Sequence, residues 1–330
     1  MTGNVLITGI AGLIGSHFSR YLLDGEYNVI GIDNLSGGYK DFIDDRVIFY
    51  EMDLINSIKL EDVFRKEKID YVYHFAAYAA EGLSPFIRNF NYTNNVICSI
   101  NVINCCIKYN IKKIIFTSSM AVYGYGEPPF KELQIPSPID PYGIAKYTVE
   151  MDLKQSYDQF GLKYSIVRPH NVIGIYQNIW DRYRNVIGIW INNILNNNPI
   201  LIYGDGEQKR AFSDIKYYMS IFEKLMLEQD NEIFNIGSDD EIKLIDVANL
   251  MCTIGEKNGY YTSINYAESR HEVKYAYCDH SKSKKYLNFD DNTNLIKTIE
   301  DMFIWAKNQP KRNIRNMKYE ITKNIYSYWK

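Results

Sequence analysis

Long apolar runs are missing from this 330-residue chain. None approaches the ~18 residues of a membrane-spanning helix, which excludes a helical membrane protein. Excess charge of either sign is missing too. The net charge is −3, so no bulk field draws the chain to nucleic acid. Cysteine is scarce: Cys98, Cys105, Cys106, Cys252 and Cys278, with no C-x-x-C among them. That pattern fits reduced thiols in a cytoplasmic protein rather than a disulfide framework. Histidine is scattered (His17, His74, His170, His271, His280), with no H-x-x-x-H and no Cys/His cluster. No metal site is expected from such spacing. Met1 leads almost directly into a strand, leaving no room for a signal peptide. Internal repeats and low-complexity linkers are absent.

What is present is alternation. Asn4–Thr8 reads as a short buried strand. It runs into Gly9-Ile-Ala-Gly12-Leu13-Ile14-Gly15, and an amphipathic helix follows to about Leu23. The glycines permit a tight turn and let backbone N–H groups approach a pyrophosphate at the helix N-terminus. A second strand, Asn28–Ile32, ends in Asp33, placed to bind a ribose diol. A carboxylate there repels a 2′-phosphate, so NAD is expected rather than NADP. Further strands are read at Val47–Glu51, ending near Asp53-Leu54, at Asp70–His74, running into Phe75-Ala76-Ala77, and at Lys112–Ser118. Helices are read at Ser57–Lys66 and over Pro85–Tyr109. Regular βα alternation predicts a parallel sheet with helices on both faces, with ligands at the carboxyl ends of its strands.

The stretch Ile114–Lys146 carries the chemistry. An apolar strand ends at Thr117-Ser118-Ser119, and a helix opens with Pro141, where the missing N–H costs nothing. Tyr142 and Lys146 follow at i and i+4 on one helix face. A phenol normally titrates near pKa ~10, and a neighbouring ammonium is expected to lower it. With Ser119 as hydroxyl partner, the set suits removal of a proton from an alcohol as its hydride leaves. The bare Y-x-x-x-K pattern is weak. Tyr109/Lys113, Tyr319/Lys323 and Tyr326/Lys330 match it too, but only Tyr142/Lys146 has the strand and serine upstream.

T-G-I-A-G-L-I-G (8–15), D-N (33–34), D-L (53–54), H-F-A-A (74–77), N-N-V (94–96), T-S-S-M-A-V-Y-G (117–124) and Y-G-I-A-K (142–146) together resemble an extended short-chain dehydrogenase/reductase. The matching branch is the NAD-dependent sugar-nucleotide epimerase/dehydratase family, and the likeness covers nearly the whole chain. It implies an α/β fold: a Rossmann-type doubly wound parallel sheet with a smaller C-terminal α/β substrate domain. The NAD-binding unit is expected at 1–170 plus a returning segment of about 212–237. The sugar-nucleotide unit is expected at 171–211 and 238–330. The implied NAD contacts are Gly9, Gly12, Leu13, Ile14, Gly15, Asp33, Asn34, Asp53, Leu54, Phe75, Ala76, Ala77, Asn95, Thr117, Tyr142, Lys146 and Pro169. Asp53 and Leu54 hold the adenine in that scheme, and Lys146 also binds the nicotinamide ribose. Ser119, Tyr142 and Lys146 are the implied catalytic set.

The partner implied is a nucleotide-diphosphate sugar. Asn171, in R-P-H-N (168–171), matches an asparagine that contacts it. Arg210, in G-D-G-E-Q-K-R-A-F, matches a diphosphate-binding arginine, whose planar fork suits phosphate oxygens. Arg270 matches a second one, although His271 intrudes on the pattern. Glu81 departs from the commonest 4-epimerase sequence, and is read either as an acid facing the sugar or as a surface acid. Tyr176–Arg184 is read either as a solvated loop or as part of the substrate cover. The basic, aromatic tail Lys311–Lys330 is read as a packed or solvated extension rather than a membrane or nucleic-acid arm. The helices at 85–108 and 142–160 are apolar on more than one face, so a homodimer is expected.

Dehydratases and decarboxylating relatives carry carboxylates in the two places after the catalytic serine. Here those places hold Met120 and Ala121, which argues against 4,6-dehydration. The pattern fits an epimerase that oxidises C4 and returns the hydride to the other face. The second reading is a dehydrogenase that releases the keto sugar. A third is an NAD-binding scaffold, against which the intact Ser/Tyr/Lys set speaks.

Overall fold

A computed structural model describes residues 3–270 and 272–329. Met1, Thr2, His271 and Lys330 lie outside the described residues. The expected absence of a signal peptide before Met1, the intruding His271 and the Tyr326/Lys330 pair therefore cannot be placed. Seven parallel strands form the main sheet: β1 Asn4–Thr8, β2 Asn28–Asp33, β3 Ile48–Glu51, β4 Tyr71–His74, β5 Lys113–Thr117, β6 Tyr164–Pro169 and β7 Glu232–Ile236. Their order across the sheet is β7-β6-β5-β4-β1-β2-β3. The order reverses between β1 and β4, which opens a crevice at the carboxyl ends there.

Both faces are covered, so the strands read as nearly unbroken apolar runs. One face packs against α2 (Ser57–Glu67), α4 (Cys98–Lys108) and α5 (Pro141–Phe160), through Leu60, Phe64, Val102, Val149 and Leu153. The other packs against α1 (Leu13–Asp24), α7 (Met219–Leu227) and α9 (Ser281–Leu287), through Phe18, Leu22, Phe222, Leu225 and Leu287. A third core joins α6 (Val186–Leu195), α8 (Leu244–Lys257) and α10 (Leu295–Lys307). It carries the short strand Ile200–Tyr203, paired with Ile264–Ala267. Doubly wound α/β architecture is thus as expected. The helical stretch expected at 85–109 is less regular. It breaks into α3 (Arg88–Tyr92), a wide π turn over Thr93–Ile97, and α4. Such turns often accompany function, and this one sits beside the crevice.

Among the described residues, no helix is long and apolar enough to cross a membrane. Ile97, Ile144 and Met151 stand exposed on the helices that flank α5 or belong to it.

Beneath the crevice, Arg168 and Glu150 form a buried bidentate pair, with Nε–Oε1 at 2.9 Å and Nη2–Oε2 at 2.5 Å. Ser118 Oγ donates to the same carboxylate. Removing one member strands the other charge in the core. Glu150→Ala is expected to cost about 3–5 kcal/mol, measured as a lower urea midpoint in equilibrium unfolding.

Candidate active site

The carboxyl ends of β1, β2, β3 and β4 border one cleft, lined by Gly9, Gly12, Asp33, Asn34, Asp53, Leu54, Phe75, Ala76, Ala77 and Arg184. Gly9 has φ +73°, and a Cβ on it would stand 2.7 Å from the Ala76 nitrogen. A Cβ on Gly15 would stand 2.4 Å from the Gly9 carbonyl oxygen. Only glycine lets the turn, α1 and the end of β4 come this close. Leu13 and Ile14 open α1 immediately after the turn. The Asp33 carboxylate accepts from Ala11 N at 3.0 Å and Leu35 N at 2.8 Å. Burial pushes its pKa up, and those two amide donors oppose the shift. Asn34 Nδ2 donates to Asp53 Oδ2 at 2.9 Å, fixing that acid at the cleft wall.

Past the carboxyl end of β5, the strand next to β4, lie the three expected catalytic groups. Asp140 caps α5 by accepting from Gly143 N at 2.9 Å, with Pro141 in the first turn. This holds Tyr142 against Ser119, whose Oγ also accepts from Ala121 N at 3.1 Å. Lys146 Nζ donates to the Thr117 carbonyl at 2.7 Å. Burial brings its pKa down to about 7, with Glu150 opposing. The sequence reading expected this ammonium to lower the phenol pKa of Tyr142. The protein groups by themselves act the other way. Burial raises the Tyr142 pKa, the Glu81 carboxylate raises it further, and a hydrogen bond with Ser119 opposes both. The reason is geometric: Nζ is turned to Thr117 and lies 5.9 Å from the Tyr142 ring centre.

The cleft has the shape and chemistry of a dinucleotide site. The glycine turn leaves no room for side chains, a carboxylate faces the ribose position, and the buried Thr117 hydroxyl has no protein partner. These features fit NAD. Asn95 serves indirectly: its amide brackets Tyr78, accepting from N at 2.8 Å and donating to O at 3.1 Å. It also donates to Asn91 Oδ1, and Asn91 Nδ2 donates to the Pro141 carbonyl at 2.9 Å. This chain ties the start of α5 to the cleft wall. Ser84 Oγ accepts from Tyr142 N at 3.2 Å. Sequence reasoning missed Asn91, Ser84 and Arg184. The signal for Asn91 was its i, i+4, i+8 spacing with Asn95 and Ser99, which puts the three polar side chains on one helix face. The rival pair Tyr109/Lys113 is spent elsewhere, on Glu61 and the Glu228 carbonyl.

The substrate-side residues are brought together unevenly. Glu81 is exposed yet lies close enough to Tyr142, Asp140 and Arg210 to feel their charges. Desolvation and then Asp140 push its pKa up to about 7, and Arg210 opposes. Asn171 sits just beyond β6, which ends at Pro169, and donates to the Ala211 carbonyl at 3.0 Å. Arg210 binds Glu272 Oε2 at 3.1 Å and the carbonyls of Lys209, Val273 and Lys274. Arg270 donates from Nε to Tyr328 Oη at 2.8 Å and lies over Tyr203, 3.4 Å from the ring centre. Its buried Nη2 has no partner among the described residues. Tyr176–Arg184 is no solvated loop: Ile179, Trp180, Asp181 and Tyr183 are buried. Arg184 pairs with Asp181 at 2.9 Å and reaches the Gly37 carbonyl. The tail is packed, with Ile325 and Trp329 buried against Leu83, Phe86 and Tyr183. Finally, His170, Cys278 and His280, scattered in the sequence, converge with their ligand atoms within 4.8 Å of one another.

A profile of the family described as NAD dependent epimerase/dehydratase matches residues 5–237. Among solved structures, the chain is similar to a Thermotoga maritima UDP-glucose 4-epimerase with UDP-glucose. Identity is 32%, coverage is 92% of this chain and 98% of that one, and the TM-score is 0.87. A Methanobrevibacter ruminantium UDP-N-acetylglucosamine 4-epimerase in complex with UDP-N-acetylmuramic acid is 30% identical, with coverage of 92% and 98% and a TM-score of 0.84. A Bacillus cereus UDP-glucuronic acid 4-epimerase in complex with UDP-glucuronic acid and NAD is 27% identical, with coverage of 92% and 99% and a TM-score of 0.82.

Asp33→Ala removes the charge-assisted acceptor at the ribose end. NAD affinity measured by calorimetry is expected to fall by about 1–3 kcal/mol. Tighter binding of NADP than NAD by the unaltered protein would overturn the assignment of Asp33.

Proposed function

Because the chain belongs to the NAD dependent epimerase/dehydratase family, we propose that it is an epimerase of a nucleotide-diphosphate sugar that works at C4. Bound NAD supplies a hydride acceptor that later gives the hydride back. The single observation that carries the reading is the meeting of Ser119, Tyr142 and Lys146 past the carboxyl end of β5. Tyr142 takes the proton from the sugar hydroxyl and returns it after the keto sugar has turned over. Ser119 orients that hydroxyl by hydrogen bonding. Lys146, anchored on Thr117, would hold the cofactor's ribose through its amino group. Met120 packs with Val122, Tyr123 and Phe130, so the two places that follow the serine offer no acid to expel a hydroxyl. Asn171, Arg210 and Arg270 form the substrate side, where Arg270 has the free donor and Arg210 must exchange Glu272 for phosphate. The solved neighbours make a UDP-sugar the first substrate to test.

We further assign residues 1–170 and 212–237 to NAD binding and 171–211 and 238–330 to the sugar nucleotide, with α9 lending Leu287 to the sheet core. The five cysteines are free thiols, which supports a cytoplasmic setting. The exposed apolar residues Ile97, Ile144 and Met151 support a homodimer through α4 and α5. Light scattering at micromolar concentration is expected to give twice the chain mass, and a monomer mass would refute this pairing.

Tyr142→Phe keeps the ring's packing and removes the proton acceptor. Turnover is expected to fall by roughly 10²–10⁴ with NAD binding nearly intact. Starting from a 4-deuterated sugar nucleotide, the label should remain at C4 of the epimer without net NADH. Accumulation of NADH in step with a keto sugar would instead show the dehydrogenase reading.

Glu81 gives a pH test. Its carboxylate raises the Tyr142 pKa, so neutralising it lowers that pKa. In Glu81→Gln the rising limb of the kcat/KM profile should move to lower pH, by about one unit for a like charge removed nearby. An unmoved limb would place Glu81 outside the proton chemistry.

A further inference from the structure

His170 and His280 lie 110 residues apart in the sequence yet face each other at 3.1 Å, Nε2 to Nε2, with their rings stacked at 24°. Both are buried, as is Cys278. The outer nitrogens are already committed. His170 Nδ1 lies 3.3 Å from the Ala211 carbonyl oxygen. His280 Nδ1 lies 2.6 Å from Asp239 Oδ1. Neither oxygen can donate, so both Nδ1 atoms must carry the hydrogen. Each neutral ring then presents only a lone pair at Nε2. Two lone pairs 3.1 Å apart repel, so the contact calls for a shared proton or a metal ion at that point. The Cys278 sulfur converges on the same point.

We propose that His170, Cys278 and His280 bind a zinc-type divalent cation at the junction of the sheet and the substrate layer. The ligand set is N₂S, borderline-soft, and suits zinc over magnesium or calcium. With metal–nitrogen bonds of about 2.0–2.1 Å, a 3.1 Å nitrogen separation corresponds to an angle of about 100° at the metal. That is close to tetrahedral. The outer hydrogen bonds are those that ligating histidines make, one to a carboxylate and one to a backbone carbonyl. Asp239 is held in turn by Lys284.

The placement gives the cation a structural task. His170 sits between Pro169, the last residue of β6, and Asn171. The Ala211 carbonyl that meets its Nδ1 also accepts from Asn171 Nδ2. Cys278 and His280 stand at the N-terminal approach to α9. One ion at this point clamps α9 to the end of β6 and to the strand bearing Arg210. The site is separate from Ser119, Tyr142 and Lys146, and does not rest on the epimerase reading.

The test uses the full chain, expressed in zinc-supplemented medium and desalted. Mass spectrometry of metals is expected to find about one zinc per chain. Cobalt(II) added to chelator-treated protein should give tetrahedral visible bands and a near-ultraviolet thiolate-to-cobalt band. Cys278→Ser should abolish the second band and keep weaker visible ones. Asp239→Asn, which removes no ligand, should lower zinc affinity roughly 10–100-fold. Should the variants fail to fold, the wild-type metal content and cobalt spectrum still decide. Trace metal with no cobalt spectrum from folded wild-type protein overturns the proposal. The pair would then share a proton, visible as an imidazolium in nitrogen-15 NMR. A thiolate band that survives in Cys278→Ser also overturns the ligand set.

Discussion

Parallel pairing is the constraint on which everything else in this molecule depends. When seven strands run the same way, all their carboxyl ends fall on one edge of the sheet. The last backbone groups of each strand then project past the ladder. Thr8 stands opposite both Ile32 and His74, and Thr117 opposite Val167. The turn after β1, Asp33, Ala76 and Ser119 therefore share an edge although they are spread over more than a hundred residues. The buried faces of the sheet do not choose which chemistry occurs there. They fix the edge, and the residues just past each strand supply the chemistry.

At that edge, burial sets the protonation states as much as charge pairing does. Lys146 and Tyr142 are both sheltered from water, and each is pushed toward its neutral form. The Thr117 carbonyl holds the amine in place without a counter-charge. Glu81 adds a second poised carboxyl on the open side. The acids and bases are kept close to neutral by desolvation, a state suited to passing a proton back and forth.

The dinucleotide half was legible because its determinants are local. A glycine turn needs its glycines within seven residues, and an N-cap needs Asp140 three residues before Gly143. Met120 and Ala121 could be read beside Ser119 for the same reason. The substrate half was only partly legible. The motif placed Arg210 and Arg270 but not their partners, since Glu272, Tyr203 and Tyr328 approach from distant segments. The tail's aromatic residues gave no hint that Tyr328 and Trp329 would cage Arg270. Cys278-Asp-His280 was a visible short spacing, but its third member lay 110 residues upstream.

The sequence by itself determined the strand-turn-helix units, the glycine cradle, Asp33 at the end of β2 and the i, i+4 pairing of Tyr142 with Lys146. Period, turn chemistry and capping are short-range, and they leave their pattern in neighbouring letters. Only the tertiary structure decided that Glu81 faces Tyr142, that Asn91 and Asn95 brace the cleft, that Arg184 closes over Gly37, and that His170 meets His280. Each of these depends on which faces of separate elements are buried together. It also depends on how far water is kept from the groups between them, and neither quantity exists until the sheet has formed.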